Sequence, residues 1–158
     1  METRRIVVAG VLASLAIAMW EMIVEAVIPD GAGFFGAPIA IGATLIRDLQ
    51  GSSNPIEFNG VALIVGLAGH MMNSVIFGAI FAAVVTRRAM SATSTLIAGM
   101  AWGAAVFVGM WFVVVPLVDP LMGNLNAAAF FAGHLMWGAA LGYLWGRVAA
   151  REGAANTR

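Results

Sequence analysis

Four runs of apolar residues, each long enough to cross a lipid bilayer, decide what this chain can fold into. They cover about 6–29, 61–86, 94–116 and 126–146. A helix needs roughly 20 mostly apolar residues to span the hydrocarbon core. The expected fold is all-α and integral to the membrane, a single domain over 1–158 with four transmembrane helices. Composition agrees, since 10% of residues are charged and the mean hydropathy is +0.93, against about 25% charged in a soluble domain. Such a chain cannot cover a water-facing surface. The absence of cysteine excludes disulfides, thiolate metal sites and iron–sulfur clusters. Net charge is zero, so no nucleic-acid surface is implied. The N-terminal run lacks a small-residue cleavage pattern and reads as a retained helix.

Between the first two runs the apolar stretch from Phe34 to Ile46 has 13 residues, too few to cross. Pro38 suits the first turn of a short helix, ended by Arg47, Asp48 and Gly51-Ser52-Ser53. An interfacial or re-entrant helix over about 34–48 is expected. Orientation follows from the arginines, because there is no lysine. Arg4, Arg5, Arg87, Arg88, Arg147, Arg151 and Arg158 fall on one side and only Arg47 on the other. The positive-inside rule places both termini in the cytoplasm of a bacterial inner membrane.

The second and fourth runs repeat one another. AGHMMNSVIFGAIFA at 68–82 aligns with AGHLMWGAALGYLWG at 132–146 at an offset of 64, without a gap. The first and third align more loosely, with Met19-Trp20 on Met110-Trp111 and Pro29 on Pro120. The chain therefore reads as two tandem parallel hairpin repeats, an arrangement known among transporters. Residues four apart share a helix face. His70 is followed by Ser74, Gly78 and Ala82, and His134 by Gly138, Gly142 and Gly146. Such small faces let helices approach closely in lipid. Spans 2 and 4 are expected to meet along them.

Depth brings a further pair into play. His70 and His134 each lie nine residues inside the outer ends of their spans, roughly 13 Å deep at 1.5 Å per residue. Glu21 lies at a similar level, and Glu25 shares its face one turn nearer the outside. Ionisable residues inside a membrane cost roughly 2.5–3.5 kcal/mol each at the bilayer centre and mark function. Three readings stand. Glu21, Glu25, His70 and His134 could bind zinc, iron or manganese, although no Glu-x-x-His pair of the di-metal bundles is present. His70 and His134 could ligate a haem or chlorin, with Gly69 and Gly133 leaving room for the macrocycle. Otherwise they hydrogen-bond across the helix seam with Asn73, which specifies register more than it stabilises. Ten methionines, with Met71, Met72 and Met136 beside the histidines, raise copper(I), yet methionine is ordinary filler in apolar helices.

GAGFFG at 31–36 spells G-x-G-x-x-G but follows a membrane span and opens no βαβ unit. No GxSxG, Walker loop or HExxH occurs, so an ordinary enzyme is not expected. The paired AGHMMNSVIFGAIFA and AGHLMWGAALGYLWG, with APIAIGATLIRDLQG between spans 1 and 2, resemble uncharacterised four-helix bacterial proteins akin to the YagU-like inner-membrane family. The resemblance implies topology and no activity. The leading functional expectation is an accessory or scaffold subunit packing on a larger membrane complex or on a second copy. Next comes a metal- or haem-binding protein with electron transfer as its use, and third a small transporter or proton pathway.

Overall fold

The computed structural model describes residues 2–85 and 90–156, with side chains over 7–85 and 90–146. Arg87, Arg88 and Arg158 lie outside the described residues, as do the side chains of Arg4, Arg5, Arg147 and Arg151. Every regular element among the described residues is helical: α1 Glu2–Val27, α2 Gly36–Ala43, α3 Gly60–Val85, α4 Ala92–Gly109, α5 Val115–Val118 and α6 Ala127–Asn156. Short 3₁₀ turns occupy Arg47–Gly51 and Pro120–Asn124. Four stretches are long and apolar enough to cross a membrane: Val7–Val27, Gly60–Val85, Ala92–Val118 and Ala127–Gly146.

The third of these is not a plain α-helix. Residues Met110–Val114 form a π-turn that joins α4 to α5. Pro116 stands just beyond it, with no N–H to donate and a ring that crowds the carbonyl four residues back. A widened turn relieves that crowding without ending the helix.

α6 lies against α4 and α1, whereas α3 lies against α1 and α2. The α4–α6 seam is the tightest. A Cβ on Gly138 would overlap the Gly99 carbonyl, one on Gly103 would overlap the His134 carbonyl, and one on Gly142 would meet the Thr95 carbonyl oxygen at 2.5 Å. Gly146 continues the seam, where a Cβ would lie 3.3 Å from Ala92 Cα. The α1–α3 seam is built on Gly10, whose added Cβ would lie 3.0 Å from Val75 Cα.

These seams correct the expected meeting of spans 2 and 4. The small face of α6 closes on α4, because Gly99 and Gly103 offer a matching groove. Ser74, from the small face of α3, turns to α1, and its hydroxyl donates to the Gly10 carbonyl at 2.7 Å. Large side chains of α6 stand between it and α3. Leu141 fills the space beside Gly78, at 3.5 Å from an added Cβ. Trp137 donates its indole N–H to Ser74 Oγ at 2.6 Å. Ala82 is buried within α3.

The short helix α2, between spans 1 and 2, is buried against the rest of the protein. Seven of the eight residues of α2 are buried. A Cβ on Gly42 would overlap the Ala62 carbonyl, and one on Gly66 would overlap that of Pro38. The two glycines thus let α2 lie directly on the α3 backbone.

Both connections, 28–59 and 119–126, lie together at one end of the bundle and are bonded to each other. Asn54 Nδ2 donates to the Asn124 carbonyl at 2.9 Å, and Asn124 Nδ2 donates to the Ser52 carbonyl at 3.2 Å. Arg47 Nη1 donates to the Val118 carbonyl at 2.6 Å. Beneath them one apolar core gathers Ile39, Ala40, Ala62, Leu121 and Phe130. A second, toward the other end, gathers Ala13, Ile17, Phe81, Val85, Trp137 and Leu141.

Candidate functional site

Glu25 is the simplest of the sequence-selected residues to place. Its Oε2 accepts from Ala32 N at 2.9 Å and its Oε1 from Asn126 N at 2.7 Å. Asn126 in turn caps α6, with its Oδ1 accepting from Ala129 N at 3.0 Å. Glu25 therefore ties α1 to the first connection and to the positive end of α6, where a carboxylate is favoured. Both of its oxygens are occupied by backbone. This is a fastener, and it corrects the expectation of Glu25 as a metal ligand.

Glu21, one turn back along α1, is 3% exposed, and its Oε1 is buried with no hydrogen-bond partner. It points at the residue before His134, since a Cβ on Gly133 would lie 3.2 Å from that oxygen. Glycine at 133 gives the Ile17 side chain and the Glu21 carboxyl their space, which differs from the expected role of leaving room for a macrocycle.

His134 is 7% exposed. Its Nδ1 lies 2.8 Å from the Phe130 carbonyl. A carbonyl can only accept, so Nδ1 carries the proton and Nε2 of the neutral ring keeps its lone pair. The ring packs against Phe130 and Phe107, with centroids at 4.5 and 5.9 Å. The Nε2 of His70 is buried with no hydrogen-bond partner. Orphaned buried polar atoms are rare, and each calls for a reason such as a bound ion or water.

A cavity of about 140 Å³ joins the two imidazoles. Ile17, Asn73, Ser74, Phe77, Val106 and Trp137 help to line it, and Thr44 and Asp119 lie on it toward the connections. A smaller void of about 10 Å³ adjoins His70 on its other side and is lined by Glu21, Ala37, Pro38 and Ile41. His70 is thus common to both spaces. Trp137 and Ile17, from the second apolar core, close the far end.

The expected gathering of four ligands does not form. Among the described residues no three His, Asp or Glu side chains are grouped closely enough to hold a metal ion. A haem or chlorin does not suit the cavity either, because pockets for ligands of even drug size run from roughly 300 to 1,000 Å³. The two histidines, with Glu21 behind one of them, are what the fold does bring together.

Asp119 is not among the candidates that the sequence suggests. It is 1% exposed. Thr44 Oγ1 donates to its Oδ2 at 2.6 Å and Gln50 Nε2 to its Oδ1 at 2.8 Å. Gln50 also donates to the Ala43 carbonyl and accepts from Leu121 N. Burial pushes the Asp119 carboxyl above its ordinary value, opposed by the Thr44 and Gln50 bonds and by the charge of Arg47. Its position just before Pro120 was the available signal, since Asp-Pro favours a turn; nothing in one sequence revealed its partners 69 and 75 residues away. Met110 and Met122 also line the cavity; the sequence marked Met110 only through its match to Met19, and Met122 not at all.

Compared with protein-family profiles, with curated proteins and with solved structures, the chain matches none.

Proposed function

We propose that this is an integral membrane protein that binds a small cation inside its helical bundle, at a site formed by His70 and His134. The observation that carries the reading is the cavity shared by the two imidazoles, one with its Nε2 lone pair fixed by the Phe130 carbonyl and the other with Nε2 buried and unpartnered. Backbone-oriented imidazoles are how proteins prepare histidine for cation binding. Asp119 and Thr44 on the same cavity support entry from the end where the connections lie. On the arginine distribution that end faces outward, with both termini cytoplasmic.

A duplicated hairpin as the origin of the bundle is supported by the seams. Ser74 and Gly138 are equivalent positions at the offset of 64. Each packs on a glycine of the preceding span, Gly10 and Gly99 respectively. An accessory role on a larger complex needs no cavity and leaves the imidazole lone pairs without purpose. The apolar exterior is what lipid alone requires.

Titration of the purified protein with Cu(I), Zn(II) and Mn(II), read by equilibrium dialysis, tests the reading. At least one ion should bind at one equivalent and be lost in both His70→Ala and His134→Ala. Binding of none, in protein that remains folded, would sink it.

One observation favours a second reading, a proton relay. Glu21, whose Oε1 lacks a partner, borders with His70 a void of about 10 Å³, room for about one water molecule. Proton flux into proteoliposomes that falls in Glu21→Gln would favour the relay, and flux equal to that of empty vesicles would remove it.

A further inference from the structure

Two methionines border the same site. Met110, the first residue of the π-turn, and Met122, in the 3₁₀ turn before α6, line the cavity with His70 and His134. Met122 is 3% exposed. Methionines closer to the histidines in sequence are placed otherwise: Met72 and Met136 are exposed on the outside of the bundle.

We infer that the cation is copper(I), held by the imidazoles of His70 and His134 together with the thioethers of Met110 and Met122. This rests on the cation-binding reading and names its ligand. The first argument is softness. Thioether and imidazole donors select Cu(I), whereas carboxylate, carbonyl and water suit the harder ions. The second is charge. The one carboxyl on the cavity, Asp119, is engaged through both oxygens by Thr44 and Gln50, so the free donors are all neutral. The cost of burying an ion grows with the square of its charge, and neutral donors offset a monovalent ion far better than a divalent one. One further carboxyl, Glu21, borders the void behind the His70 ring; if the bound ion displaces its proton, it supplies one negative charge against one positive. The third is tautomer. His134 presents Nε2 with Nδ1–H fixed on the Phe130 carbonyl, the orientation that a ligating imidazole needs.

The test uses the full chain in detergent, with Cu(I) kept reduced by ascorbate under anaerobic conditions and its affinity read by competition against a chromogenic Cu(I) chelator. One equivalent should bind. Met110→Leu and Met122→Leu conserve volume and keep the fold; each should weaken Cu(I) at least tenfold, while Met72→Leu and Met136→Leu leave it unchanged. X-ray absorption of the bound ion should show both nitrogen and sulfur neighbours. Cu(I) affinity unaffected by the Met110→Leu Met122→Leu double variant would overturn the inference. So would absence of Cu(I) binding; if Zn(II) still bound through His70 and His134, the cation reading would survive without copper.

Discussion

Gly103 of α4 lies so close to the carbonyl oxygen of His134 that no side chain larger than hydrogen fits between them. The seam between α4 and α6 therefore holds the very backbone that carries the imidazole. Packing and site are here one construction: the glycines that let the helices touch also set where His134 presents its ring.

Gly103→Ala puts a methyl group onto that carbonyl and must push the helices apart. Overpacking of this kind costs about 1–3 kcal/mol. Thermal unfolding in detergent should show the loss, and cation affinity should fall with it because the ring moves. Gly69→Ala, with open space around the added Cβ, should leave both unchanged.

Glu25 is structural on this reading and Glu21 is not. Glu25→Ala removes the acceptor for two backbone N–H groups, at a cost of about 1–3 kcal/mol for each buried donor left unmet. Its melting temperature should drop markedly. Any ion bound by the surviving folded protein should keep its affinity within a few fold. Glu21→Gln should show the reverse, with little change in melting and weaker binding.

Ser74 joins three helices through two hydrogen bonds, from Trp137 and to Gly10. Ser74→Ala strands the indole N–H in an apolar setting and should destabilise by about 1–3 kcal/mol. Tryptophan emission should change with it, since Trp137 loses its partner. An unaltered spectrum together with wild-type stability would contradict the network.

Asp119 latches the two connections together over the cavity. Asp119→Ala removes the acceptor of Thr44 and one of the two acceptors of Gln50, so amide hydrogen exchange over 44–50 should speed up while α3 and α6 keep their protection. Equal exchange in the variant and the parent would show that the latch does not hold the segment.

The sequence disclosed most of the bundle because lipid enforces one rule on every span. The runs read at 61–86 and 94–116 correspond to Gly60–Val85 and Ala92–Val118, and hydrophobic length alone was enough for them. That Glu21, His70 and His134 would come to one level of the bundle was also legible, since it follows from rise per residue, and the two adjoining cavities bring them together. Which helix each small face would meet was not. Gly138 and Ser74 occupy equivalent positions, yet one packs on Gly99 and the other on Gly10, and that choice depends on the bulk of Trp137 and Leu141 across the gap. The burial of α2 was hidden too, because Gly42 and Gly66 become contact points only once α2 folds back on α3. Met110 and Met122 reach the site through a π-turn and a 3₁₀ turn, whose local geometry no periodicity announces.

The central claim is that His70 and His134 offer their Nε2 atoms to one ion in one cavity. Nitrogen-15 NMR of the histidine-labelled protein, titrated with Cu(I) or with Zn(II), addresses it most directly. Both Nε2 resonances should shift together and saturate at one equivalent, with His134 Nδ1 still protonated. A shift at one ring alone, at Nδ1, or at neither would contradict it.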